Sequence, residues 1–191
     1  MIDIAKIKEE HLNHADNFCK EVVAVHEAIV LSSKDIWLNS LSITLYGYMM
    51  NVFSRIDLLS SYWQGNDSHQ TPRMISFMDK YFHTEHEENS LAIQLWRHKL
   101  MHTSQPRYLI DSNDISYIYL LHWGSALPKD QHFTLTKSSS SVKLNLAVIY
   151  VIEDLREATK EYLFDLETSN DLQAKYEQYQ LALDTFHYKH Y

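Results

Sequence analysis

Residues 38–65 read LNSLSITLYGYMMNVFSRIDLLSSYWQG. Leu38, Leu41, Leu45, Met49, Val52, Phe53, Ile56, Leu59 and Trp63 recur at intervals mostly of three and four, the repeat of a helix that buries one face. Gly65-Asn66-Asp67 then supplies the left-handed and turn conformations that stop a helix. A long helix opening near Asp35 and closing at Gly65 is therefore predicted. Towards the N-terminus, Ile4, Ile7, Ala15, Phe18, Val22, Val25 and Ile29 keep the same rhythm, with His11 filling the one gap. Two long helices in succession predict an antiparallel pair.

Towards the C-terminus, Thr71-Pro72 has the form of an N-cap followed by proline at the first helical position, opening a shorter helix through Phe82. HTEHEENS is expected to be a polar connection, and Ser90 or a neighbour to start a fourth helix. That helix would turn Leu91, Leu95, Trp96 and Leu100 inward until Pro106 biases the chain out of it. Between Asp114 and Leu146 the period drops to two: ISYIYLLHW alternates Tyr117, Tyr119, Leu121 and Trp123 against Ser116 and His122, and HFTLT and SVKLNL continue it. Two or three short strands are expected there, turning at GSALPKD and at Ser138–Ser141. Helical spacing returns with Val148, Val151, Ile152, Leu155, Ala158, Tyr162 and Leu166, then with Leu172, Tyr176, Tyr179, Leu183 and Phe186.

With three glycines, three prolines and 45% hydrophobic residues, the composition suits long helices joined by few tight turns. The predicted fold is mainly α: an antiparallel helical bundle with a small β-hairpin or sheet, about 114–146, inserted after the fourth helix. One domain is expected over residues 1–191, without internal repeats. Cys19, the single cysteine, allows neither an internal disulfide nor a cysteine zinc site, which points to a reducing, cytoplasmic setting. The opening MIDIAKIKEEHLNHADNF is charged throughout and carries no apolar signal-type core, and no membrane span is expected. The formal charge of −8 repels nucleic acid on average, so any phosphate site must be local. Phosphate loops, Rossmann fingerprints and GxSxG are absent from the sequence, and no cofactor is expected.

One stretch carries candidate chemistry. LWRHKLMHTSQPR (95–107) holds Arg97, His98, Lys99 and His102 at the end of the fourth helix, with Arg107 beyond the proline. An imidazole near neutral pKa can take the proton of a ribose 2′-hydroxyl or give one to a departing 5′-oxygen, while a guanidinium forks onto phosphate oxygens where charge accumulates. Five helical residues rotate by about 140°, so Arg97 must use its length to converge on His102. Asp57, beside the apolar stripe of the second helix, is a candidate to orient Arg97. His98 and His102, four apart, can share a metal. The further ligands would have to come from His83, Glu85, His86 and Glu87, and since no HExxH occurs no metal is expected. A second account is equally physical: Arg97 and Lys99 complement the helix dipole and His102 caps its carbonyls.

An arginine followed at once by a polar residue, with a histidine four to six positions on, resembles the motif of the HEPN superfamily of helical nucleases and nucleotide-binding proteins. IDLLSSYWQG, PRMISFMDKYF and LWRHKLMHTSQPR also look like a group of small bacterial HEPN-like proteins with a β-hairpin after the motif, a resemblance spanning roughly residues 38–165. It implies a homodimer whose motif helices meet in a composite cleft, and metal-independent RNA cleavage. Arg97 would hold the phosphate, His102 would act as acid or base and His98 would orient the site or bind RNA; Lys99 and Arg107 are candidates to add a positive surface for RNA beside them. The setting implied is toxin–antitoxin, stress or antiviral defence, with an antitoxin or other protein as possible partner. The alternative is a non-catalytic helical module for dimerisation, interaction or nucleotide binding in which the motif is structural.

Overall fold

The computed structural model describes residues 2–31, 37–96, 109–122 and 127–184. Among these, six α-helices and a four-stranded mixed sheet follow in the order α1 (Ile4–Leu31), α2 (Trp37–Gln64), α3 (Gln70–Tyr81), α4 (His86–Leu95), β1 (Leu109–Ile110), β2 (Ser116–His122), β3 (Thr134–Lys137), β4 (Ser141–Ala147), α5 (Val148–Thr168) and α6 (Asn170–Asp184). The protein is mainly helical, and no described helix is long and apolar enough to cross a membrane.

The stripe read from α2 is the centre of the core. Met49, Val52, Phe53, Ile56 and Leu59 are fully buried, against Met74 and Phe77 of α3, Ile93 and Leu95 of α4, and Leu155 and Tyr162 of α5. The side chains of Ile29, Leu38 and Leu41, and Leu100, Trp123 and Phe186, lie outside the described residues. α1 and α2 run antiparallel, with His11 bonded to Arg55 and the Phe18 ring 6.0 Å from that of Tyr48. α1 also runs antiparallel along α5: Lys8 meets Glu167 at 2.6 Å and the Cys19 thiol donates to the Ile152 carbonyl at 3.7 Å.

Gly65 ends α2 as expected: its φ of 84° is left-handed, and a Cβ there would stand 3.2 Å from Lys175. The start of α3 differs from expectation. His69, itself left-handed at φ 51°, is the N-cap, so Thr71 and Pro72 sit inside the first turn. Proline is tolerated there because the first N–H groups of a helix have no intrahelical acceptor; the first such bond reaches from Arg73 N to His69 O at 3.0 Å. α4 begins earlier than predicted, at His86, so most of HTEHEENS is helix. The reason is Asn89, fully buried: its amide donates to Asp79 Oδ1 at 2.9 Å and its oxygen accepts from Thr84 Oγ1 at 2.6 Å. A polar residue so satisfied can enter a core that its type would otherwise avoid.

The strands also depart from a simple hairpin. β3 and β4 do form one, but β4 lies parallel to β2, from Ser116 opposite Ser141 to His122 opposite Ala147, giving the order β1-β2-β4-β3. β1, not foreseen, pairs antiparallel with the start of β2 around Asp111, whose carboxylate accepts the backbone N–H of Asn113 and Ile115. β4 is buried from Leu144 through Ala147, as a central strand should be, and passes into α5 without a loop. His132 secures that corner. Its Nδ1 accepts from Ala147 N at 3.0 Å, so Nε2 carries the proton and donates to Asp154 at 2.9 Å.

α3 is fastened to α2 by Arg73, only 3% exposed: Nε donates to Ser60 Oγ at 3.1 Å, Nη1 to the Ser68 carbonyl at 2.8 Å, and Nη2 forms an ion pair with Asp57. Removing one partner of such a pair strands the other, which costs about 3 kcal/mol. Arg73→Ala is expected to lose that much unfolding free energy in urea titration. A loss within about 1 kcal/mol, the level of a surface pair, would show that the fold does not depend on it.

Candidate functional site

Arg97, His98, Lys99, His102 and Arg107 lie outside the described residues; what is described is the frame on either side of them. Before them, Ala92, Ile93, Leu95 and Trp96 are buried, and the Trp96 N–H is shared between the carbonyls of Ala92 and Ile93, so the backbone is still helical where the motif begins. The Trp96 ring stands 5.7 Å from Phe53 of α2, and its indole N–H is buried with no hydrogen-bond partner among the described residues. After the motif the chain enters β1. Between α4 and the β1–β2 edge runs a groove of about 670 Å³ lined by Leu91, Gln94, Leu109, Tyr117 and Val142, so Gln94 and Leu109 bring the two flanks of the motif to one cleft.

Whether Asp57 orients Arg97 lies outside the described residues; its described partners belong to α3. Its Oδ1 takes Arg73 and its Oδ2 accepts from Gln70 Nε2 at 2.7 Å. Both carboxylate oxygens thus help to brace α2 against α3. The histidines weighed as metal ligands are also engaged, His83 with Glu161 of α5 at 2.7 Å and His86 with Asp79 of α3 at 2.8 Å. Among the described residues no group of three His, Cys, Asp or Glu side chains is placed to hold a metal ion.

A second arginine–histidine pair, which sequence reading missed, joins α1, α2 and α6. Arg55 Nη2 stands 2.5 Å from His11 Nδ1, and His11 Nε2 is 3.0 Å from the Tyr176 hydroxyl. A guanidinium only donates, so Nδ1 must accept and the proton sits on Nε2, pointing to Tyr176. The Tyr62 ring stacks on Tyr176 at 4.2 Å, and its hydroxyl donates to Gln180 Oε1 at 3.2 Å. The one signal in the sequence was the gap His11 fills in the α1 stripe; its partner is distant in the chain, where no spacing rule reaches.

The electrostatics agree with that proton placement. Burial, and then the neighbouring Arg55 charge, push the His11 imidazole down from 6.5 to about 4. Burial also lowers the Arg55 guanidinium and, with Tyr62 beside it, raises the Tyr176 phenol. His14, one turn further along α1, is held below the ordinary histidine value by burial and by Arg55. His11 is thus a neutral strut and has no role as a proton shuttle near pH 7.

Comparison with known proteins finds no matching family model, no matching curated protein and no matching solved structure.

Because the folded pKa of His11 lies below its unfolded value, the contribution of its neutral form is complete above pH 6.5 and is lost as the pH falls towards 4. The span corresponds to about 3 kcal/mol. Urea titrations at pH 7 and 4.5 should show wild type losing most of this amount relative to His11→Gln, whose amide has no proton to take up. Equal pH slopes in the two proteins would overturn the neutral, Nε2-protonated assignment.

Proposed function

We propose that the chain is a metal-independent endoribonuclease of HEPN type, a helical bundle with its sheet inserted after α4, acting as a homodimer in the cytoplasm. Arg97 holds the scissile phosphate, His102 moves the proton, and His98, Lys99 and Arg107 contact the RNA. The 2′-hydroxyl attacks the adjacent phosphorus and the 5′-oxygen leaves, giving a cyclic phosphate end. The observation that carries this is α4, locked into the core by Ile93, Leu95 and Trp96 and still helical as it reaches Arg97. A catalytic arginine and histidine need such a rigid support to stay in register with a phosphate. The groove between α4 and the β1–β2 edge, with Tyr117 in its wall, offers room between the two flanks of the motif for a splayed base. A toxin–antitoxin, stress or antiviral setting suits an enzyme of this kind.

A second reading has its own support: a non-catalytic helical module for dimerisation or ligand binding. Asp57, the acid next to the second-helix stripe, serves Arg73 and Gln70, and the net charge of −8 opposes binding to RNA.

The two separate in one experiment. Wild type, Arg97→Ala and His102→Ala are incubated with mixed RNAs in EDTA. Cleavage leaving cyclic phosphate ends is expected from wild type, with both variants slower by about 100-fold or more, the range for removing a general acid or base. A folded, dimeric wild type that leaves all RNAs intact, or variants that cleave as well as it does, selects the non-catalytic module.

A further inference from the structure

Three arginines fall within the described residues, and two of them have carboxylates: Arg73 has Asp57 and Arg156 has Asp16. Arg55 has none among the described residues. Among the described residues its hydrogen bond goes to the neutral His11 ring. Four of its five N–H donors therefore remain, and a partly buried cation without a counter-ion is costly to keep.

Arg55 opens on the groove between α1 and α2, a space of about 360 Å³. His14 from α1 and Asn51 and Ser54 from α2 line it with hydrogen-bonding groups, all three on exposed helix faces. Phe18 and Leu58 give it apolar walls, and Glu21 is the one acid in its lining. A forked cation set back in a groove, ringed by donors and flanked by an aromatic face, has the features of a receptor for a small tetrahedral anion with an apolar substituent.

We propose that the α1–α2 groove binds the phosphate group of a small phosphomonoester, with Arg55 as its counter-charge, His14, Asn51 and Ser54 as further donors, and Phe18 and Leu58 against the organic remainder. The site is separate from Arg97 and His102 and does not depend on the nuclease proposal. It also explains why His11 is neutral: with its Nδ1 occupied by Arg55, the ring holds the guanidinium in place without competing for the anion. Glu21 weakens the site by simple repulsion and limits the charge it accepts.

Phenyl phosphate and inorganic phosphate serve as probes, followed by NMR of the histidine rings and the Arg55 side chain. Phenyl phosphate should bind saturably, more tightly than inorganic phosphate, and should raise the titration midpoint of His14, because an anion beside Arg55 cancels the charge that holds it down. Ser54→Glu places a negative charge in the groove from an exposed position and should weaken binding by at least about 10-fold in a protein that still unfolds cooperatively in urea. Glu21→Gln should tighten it by about twofold, the effect of one screened charge across the groove. Arg55→Gln should abolish it, and if that variant unfolds, the two surface variants still decide. Absence of saturable shifts at tens of millimolar probe, binding that Ser54→Glu leaves unaltered, or equal affinity for the two probes would overturn the site as described.

Discussion

The ion pair between Asp57 and Arg73 sets the position of α3 on α2, and the rest of the descent towards the motif hangs from it. α3 in turn carries Asp79, whose carboxylate receives the buried Asn89 and the ring of His86, so the start of α4 is tied to α3 by side chains as well as by the short connection. Tyr81 and Lys80 reach from the end of α3 to Asp165 of α5 at 3.1 and 2.8 Å. The placement of Trp96 against Phe53, and with it the direction from which the chain arrives at Arg97, is the sum of these latches. Each joins polar groups inside or at the margin of an apolar core, where geometry is more strictly imposed than by hydrophobic contact alone. Asp57 therefore bears on the approach to the motif through α3 and α4, by way of Arg73 and Gln70.

How far this was legible in the sequence follows from what kind of signal each element leaves. α2, α5 and α6 bury one stripe each, and a stripe of period 3.6 is visible in a single chain; most of their core residues are those the spacing named, but Leu183 of the last stripe is exposed, and Tyr48, Tyr62 and Leu163 join the core without having been named in it. The early start of α4 was hidden because Glu87, Glu88, Asn89 and Ser90 are polar, and only the partners of Asn89 explain its burial. The strands showed their faces but not their neighbours. A period of two fixes which residues share a side, whereas the parallel match of β2 with β4 depends on a crossover that no local pattern records. β1 is two residues long and leaves no period at all.

The two arginine–histidine pairs show the same limit from the functional side. Arg97 and His102 were found because they are close in sequence, and closeness in sequence is what motifs record. Arg55 and His11 are found only when α1 folds back along α2, yet it is this pair whose protonation, partner set and open side are defined by geometry. His11 was read as filler in a helical stripe, which is half right: the ring does occupy a core position, 7% exposed, and it is the proton count on that ring that the stripe cannot show.

The proton count also constrains where acid–base chemistry can occur. An imidazole that shuttles protons needs one nitrogen free to meet substrate and a pKa near the working pH. His11 fails on both grounds, its nitrogens being taken by Arg55 and Tyr176 and its pKa depressed to about 4. His132 has Nδ1 on a backbone amide and Nε2 on Asp154, with its side chain 4% exposed. His83 and His86 each have one nitrogen on a carboxylate, Glu161 and Asp79, and no arginine beside it among the described residues. His14 does stand beside an arginine, with its proton affinity lowered by burial and then by that same charge. Under the two proposals, phosphate is held at α1–α2 and the metal-independent cleavage step falls to Arg97 and His102.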